Sequence, residues 1–154
     1  MLDNILSDLS DPFGGLPAEV ALLRLVSATV LAGLIGLERQ VRHKPAGLRT
    51  HMLIAMAACL ATLVALQLIE AADPANATLR FDPLRLVGAI TSGVAFLAAG
   101  AILTHGGTVE GLTTGAGMWL AGVIGLACGA GSIPLAATAA LIALIVLALL
   151  RLVE

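Results

Sequence analysis

Charged residues divide this chain into long apolar runs. Residues 50–69 are uncharged for 20 positions, 86–109 for 24 and 111–150 for 40. A bilayer core of about 30 Å is crossed by about 20 helical residues. The first run is one span, and the second is a span plus part of a loop. The third is too long for one helix, and GAGSIP at 129–134 divides it. Gly129 and Gly131 stop one helix, Ser132 caps the next, and Pro134 is accepted in a first turn. Residues 18–37 form a further span despite Glu19 and Arg24, which lie toward its start, where a long side chain reaches the interface.

The expected spans are therefore about 18–37, 50–69, 84–103, 113–130 and 133–151. This is an all-α membrane protein, a bundle of about five transmembrane helices. No linker is long enough to separate soluble domains. The chain reads as one transmembrane domain, 18–154, after an acidic leader, 1–17. That leader has no Lys or Arg and carries Asp3, Asp8 and Asp11. It lacks the basic start and small-residue cleavage site of a signal peptide.

Composition agrees. Of 154 residues, 59% are hydrophobic and 12% charged, against about a quarter charged in a soluble domain. The net charge of −2 gives no sign of a nucleic-acid partner. Cys59 and Cys128 have neither metal-site nor disulfide-framework spacing and are expected to pack as free thiols.

Lys and Arg in short loops set orientation. Four of the eight fall between residues 38 and 49, and none between 104 and 113. Placing the basic loop in the cytoplasm puts the N-terminus outside and the C-terminus, with Arg151, inside.

Lipid gives helices no hydrophobic reason to associate, so small residues must allow close packing. Ala28, Ala32 and Gly36 recur every four residues on the first span. Gly88, Ser92, Gly93 and Gly100 offer a similar face on the third, and Ala121, Gly125 and Gly129 on the fourth. The fifth span has no glycine and reads as a lipid-facing helix or the contact of a homodimer.

The candidate chemistry is concentrated in GLERQVRHKPAGLRTH, residues 36–51. Glu38 and Arg42 are i,i+4 neighbours if the first helix continues. Lys44 precedes Pro45, which disfavours helix there. The turn at Pro45-Ala46-Gly47 could bring Arg49 back to pair with Glu38. Asp82 before Pro83 reads as a helix N-cap, with Arg85 in the first turn. Glu110 is the charge of the loop before the fourth span. Glu38 and Glu110 are the weak candidates for a magnesium site, which needs oxygen ligands. His43, His51 and His105 are scattered, and no nucleophile, base and carboxylate set can be read, so no enzyme is expected. No acidic residue lies deep in spans two to five, which weakens a transporter reading.

GLIGLERQVRHKPAGLRTHMLIA (33–55), DPLRLVGAITSGVAFLAAGAIL (82–103) and GLTTGAGMWLAGVIGLACGAG (111–131) together resemble the MgtC/SapB family of bacterial inner-membrane proteins. They cover most of the chain in the family's order. The family's polar motif positions fall on Glu38, Arg39, Lys44, Arg49, Thr50, Asp82, Arg85, Thr113 and Thr114. The resemblance implies a link to growth in low magnesium and, in pathogens, to survival inside macrophages. It implies a regulator of other membrane proteins, the ATP synthase among them, with a magnesium or other ion transporter as the alternative. Magnesium is the one cofactor it raises.

Three positions depart from the pattern. GVAFLAAG carries Ala95 and Ala98 where the family has glycines, and Glu110 stands where a basic residue is common. The chain is also expected to be the short SapB-like form, without a soluble cytoplasmic C-terminal domain.

Overall fold

A computed structural model describes residues 15–70, 82–105 and 108–149, and leaves the side chains of 103–108 undescribed. Residues 1–14 of the acidic leader, the loop carrying Asp73 and Arg80, and Arg151 lie outside the described residues. Five helices follow one another: α1 (Ala18–Val41), α2 (Leu48–Glu70), α3 (Pro83–Gly100), α4 (Leu112–Gly129) and α5 (Ile133–Leu149). The first four are long and apolar enough to cross a membrane, and α5 is a shorter apolar helix of 17 residues. At 1.5 Å per residue, α1 is about 36 Å long and α4 about 27 Å.

α1, α2 and α4 pack against one another in all three pairs and form the centre. α3 lies on α4 and meets α2 along one edge, while α5 lies on α1 and α4. The core is built from small side chains: Ala28, Ala32, Ala55, Cys59, Ala121 and Cys128 are all fully buried. Both thiols are free.

Glycines fix how closely these helices approach. A methyl at Gly125 would strike the carbonyl oxygen of Ala55 and lie 2.8 Å from its Cα. One at Gly129 would lie 2.8 Å from the Cys59 carbonyl oxygen, and one at Gly36 2.9 Å from that of Gly47. The first and fourth spans therefore use the small-residue faces expected of them.

The third span does not. Gly88, Ser92, Gly93 and Gly100 are exposed, and a methyl on any of the three glycines would meet nothing within 4 Å. The reason is that the notch is on α4. Val94 of α3 packs onto Gly122, where a Cβ would lie 2.8 Å from Val94 Cγ2, and Gly115 faces the Ala98 carbonyl. α3 thus turns its bulkier Val94 and Ala98 inward.

Local capping sets the connections. Ser132 N donates to Ala127 O and Gly131 N to Cys128 O, with Gly131 at φ 87°. This is a Schellman turn between α4 and α5. The same pattern closes α1: His43 N donates to Gln40 O and Lys44 N to Arg39 O, with His43 at φ 55°. Between α3 and α4, where a plain loop was expected, stands a short antiparallel hairpin, β1 (Leu103–His105) and β2 (Thr108–Glu110). It is the sheet element among the described residues.

Candidate functional site

The ends of α1, α3 and α4 meet with β2 and the α1–α2 loop at the basic end of the bundle. A cavity of about 490 Å³ opens there, lined by Arg39, Lys44, Ala101, Glu110, Gly111 and Thr113 together with Thr114. Each part has a local cause. α1 continues past its apolar run, which carries Arg39 inward until it is 5% exposed. The turn after α1 ties Lys44 N to the Arg39 carbonyl at 3.1 Å, so Lys44 follows onto the same wall. Gly111 takes φ 87° as the N-cap of α4, and a Cβ there would strike the Ala101 carbonyl oxygen. Only glycine allows α4 to start so close to the end of α3.

Arg39 is the unusual group. Its Nη2 donates to Thr114 Oγ1 at 3.3 Å, and Thr114 is itself buried. Its Nη1 is 3.9 Å from Glu38 Oε2, and its Nε has no hydrogen-bond partner. Glu38 is engaged elsewhere, in an i,i+4 ion pair with Arg42. A buried guanidinium is costly unless its charge and donors are matched, and this one is matched in part.

Of the sequence candidates, Glu38, Arg39, Lys44, Glu110, Thr113 and Thr114 come together. Arg49 does not pair with Glu38. It is exposed and lines a separate cleft with Gln40, Gly47, Leu48 and Thr50, and Glu38 takes its i,i+4 neighbour Arg42 instead. Asp82 and Arg85 lie at the far end of α3. There Asp82 caps the helix by accepting from Leu84 N at 3.0 Å and sits 3.7 Å from Arg85. Among the described residues, no three His, Cys, Asp or Glu side chains gather to hold a metal, and the magnesium candidates Glu38 and Glu110 each stand beside cations.

Two residues were missed. Arg24, expected only to reach the interface, donates from its Nη1 to Gly129 O at 2.8 Å, at the C-terminus of α4. A cation inside an apolar run, with a helix-ending Gly pair elsewhere in the chain, was the available signal. His51 is fully buried, its Nδ1 2.9 Å from the Gly47 carbonyl oxygen, and Gly117 leaves room for its Nε2. Its place four residues after Gly47 was the clue.

The MgtC family model matches residues 25–154. This chain belongs to the MgtC family. It is 43% identical to protein MgtC of Brucella abortus over 82% of its length and 50% of that protein. It is 46% identical to protein SapB of Bacillus subtilis over 71% of its length and 47% of SapB. It is 38% identical to the putative magnesium transporter YhiD of Escherichia coli over 82% of its length and 58% of YhiD. The chain thus spans about half the length of these relatives, SapB included. No solved structure matches it. With its helices, the family makes it a multi-pass membrane protein.

Proposed function

We propose that this protein is a non-enzymatic membrane regulator that acts on other membrane proteins during adaptation to low magnesium. The observation that carries the reading is the outward face of α3. Close backbone approach through small residues is how helices associate in lipid, and α3 leaves such a face open. Gly88, Gly93 and Gly100 meet nothing within 4 Å. Beside them a groove of about 210 Å³ runs between α2 and α3, lined by Ala57, Ala58, Ala61, Ala89 and Gly93 with larger apolar neighbours. The names of the relatives supply the magnesium link. The basic loop is assigned to the cytoplasm, with the N-terminus external, in a bacterial inner membrane.

Gly93→Leu tests this, because the open space leaves the fold intact. The native protein is expected to co-purify from mild detergent with a membrane protein, and Gly93→Leu to lose that protein and support of growth in low magnesium at unchanged abundance. A chain that emerges alone, or a variant that supports growth fully, overturns the reading. The ATP synthase and a second copy of this chain are the occupants that the co-purification distinguishes.

A transporter is the second reading. It is favoured by the name of YhiD and by Glu110 on the cavity wall. Arg39 and Lys44 on the same wall oppose a divalent cation. Magnesium flux into liposomes, abolished by Glu38→Ala, would favour the transporter.

A further inference from the structure

The cavity at the basic end has the donor chemistry of an anion site, and its cations are only partly matched from within the chain. Arg39 is 5% exposed, lines the cavity, and has an Nε with no hydrogen-bond partner. Its one close hydrogen bond, at 3.3 Å, goes to a neutral hydroxyl. Lys44 adds a second cation to the wall, and Thr113 and Thr114 line it as well.

The helix behind these groups points the same way. α4 has 18 residues, and its first backbone bond is Gly115 N to Gly111 O at 2.8 Å. The amides of residues 112–114 therefore have no intrahelical acceptor. Gly111 has no side chain that could cap them. Free amides and the positive end of a helix dipole favour an anion. They disfavour the guanidinium that stands there. The wall itself holds Arg39 and Lys44 against the exposed Glu110, while Glu38, 3.9 Å from Arg39 Nη1, is shared with Arg42.

We infer that this cavity binds a phosphate group, held by Arg39, Lys44, the hydroxyl of Thr113 and the amides that open α4. A planar guanidinium fork, an ammonium and converging amides suit a tetrahedral oxyanion. The cavity volume also exceeds what a lone carboxylate fills. The phosphate belongs either to a phospholipid headgroup at the bilayer edge or to a free phosphate in solution. Glu110, at the same wall, opposes the ligand and weakens its binding.

The test uses the full chain in uncharged detergent and follows thermal unfolding. One arm adds inorganic phosphate against sodium chloride at equal ionic strength. The other adds phosphatidylglycerol to the micelles, against an uncharged lipid. A saturable rise in melting temperature in the first arm identifies a free phosphate, and in the second a lipid headgroup. In the responding arm, Lys44→Ala is expected to raise the half-saturating concentration about tenfold, the scale of one hydrogen bond to a charged group. Glu110→Gln is expected to lower it. Both residues are exposed, so neither variant threatens folding. No saturable response in either arm overturns the inference, and so does a response that Lys44→Ala and Arg39→Lys leave unchanged.

Discussion

Gly125→Ala should loosen this protein, and Gly93→Ala should not. Both changes place one methyl on a transmembrane helix, and both gain about 1 kcal/mol of helix propensity. Their surroundings differ. At Gly125 the methyl would overlap the Ala55 carbonyl oxygen and lie 2.8 Å from the Ala55 Cα, all backbone atoms of α2. Backbone cannot rotate aside as a side chain can, so α2 and α4 must separate. Overpacking of this kind costs about 1–3 kcal/mol, and the upper end applies where backbone is struck. The separation also opens the contact around Cys59, Ala121 and Cys128, which are fully buried. The net expectation is a loss of about 2 kcal/mol for Gly125→Ala after the propensity gain. Gly93→Ala meets open space and should gain up to about 1 kcal/mol. Reversible unfolding in mixed detergent micelles, read by helical circular dichroism, measures the difference. If Gly125→Ala is as stable as the native chain, the α2–α4 contact does not depend on that glycine and the packing argument fails.

Other substitutions separate the charged groups. Arg24→Met should cost about 1–2 kcal/mol in the same unfolding assay, since it removes a charged hydrogen bond at a helix C-terminus; no loss would mean the contact with Gly129 is idle. Arg39→Met should cost less than about 1 kcal/mol or even stabilise, because a poorly matched buried charge is replaced by an apolar chain of similar length; a loss of about 3 kcal/mol or more would show that the guanidinium is well paired. In double-mutant cycles, Glu38 and Arg42 should couple by about 0.5 kcal/mol while Glu38 and Arg49 add independently; coupling to Arg49 instead would restore the hairpin clamp that the structure does not show.

The spans were legible because no other element accommodates 20 uncharged apolar residues, and the Gly131 break was legible because a left-handed residue must end α4 there. The Asp82 cap was read from Asp-Pro alone. Packing of α1 and α4 was read from small residues at four-residue spacing. The same signal misled on α3, since spacing tells that a small face exists but not whether it turns toward the chain or away. Which helix carries the notch depends on Gly122 of α4, whose partner Val94 is fixed only in three dimensions. The polar site was legible as a set of residues and not as an arrangement. Glu38 drew attention as the lone acid of the 36–51 stretch, but its closest ion pair is the local one with Arg42. Arg39, its neighbour, finds Thr114 across 75 positions of sequence, a distance that no local pattern encodes.

That contact also explains why α1 carries two inward cations. Arg24 and Arg39 are 15 residues apart, about 22 Å along a helix, close to the length of α4. One reaches each end of it. At the C-terminus of α4 the carbonyls and the dipole welcome Arg24. At the N-terminus the amides and the dipole repel Arg39, whose hydrogen bond goes to the neutral Thr114 hydroxyl and whose carboxylate neighbour Glu38, 3.9 Å away, is shared with Arg42. A bundle that needed only stability would gain by an apolar residue at position 39. Keeping an arginine there, against the field of the α4 N-terminus, makes sense if the charge meets its match from outside the chain. Arg24→Met and Arg39→Met therefore form a controlled pair. The first should lower stability and leave phosphate binding intact, and the second should spare stability and abolish the binding.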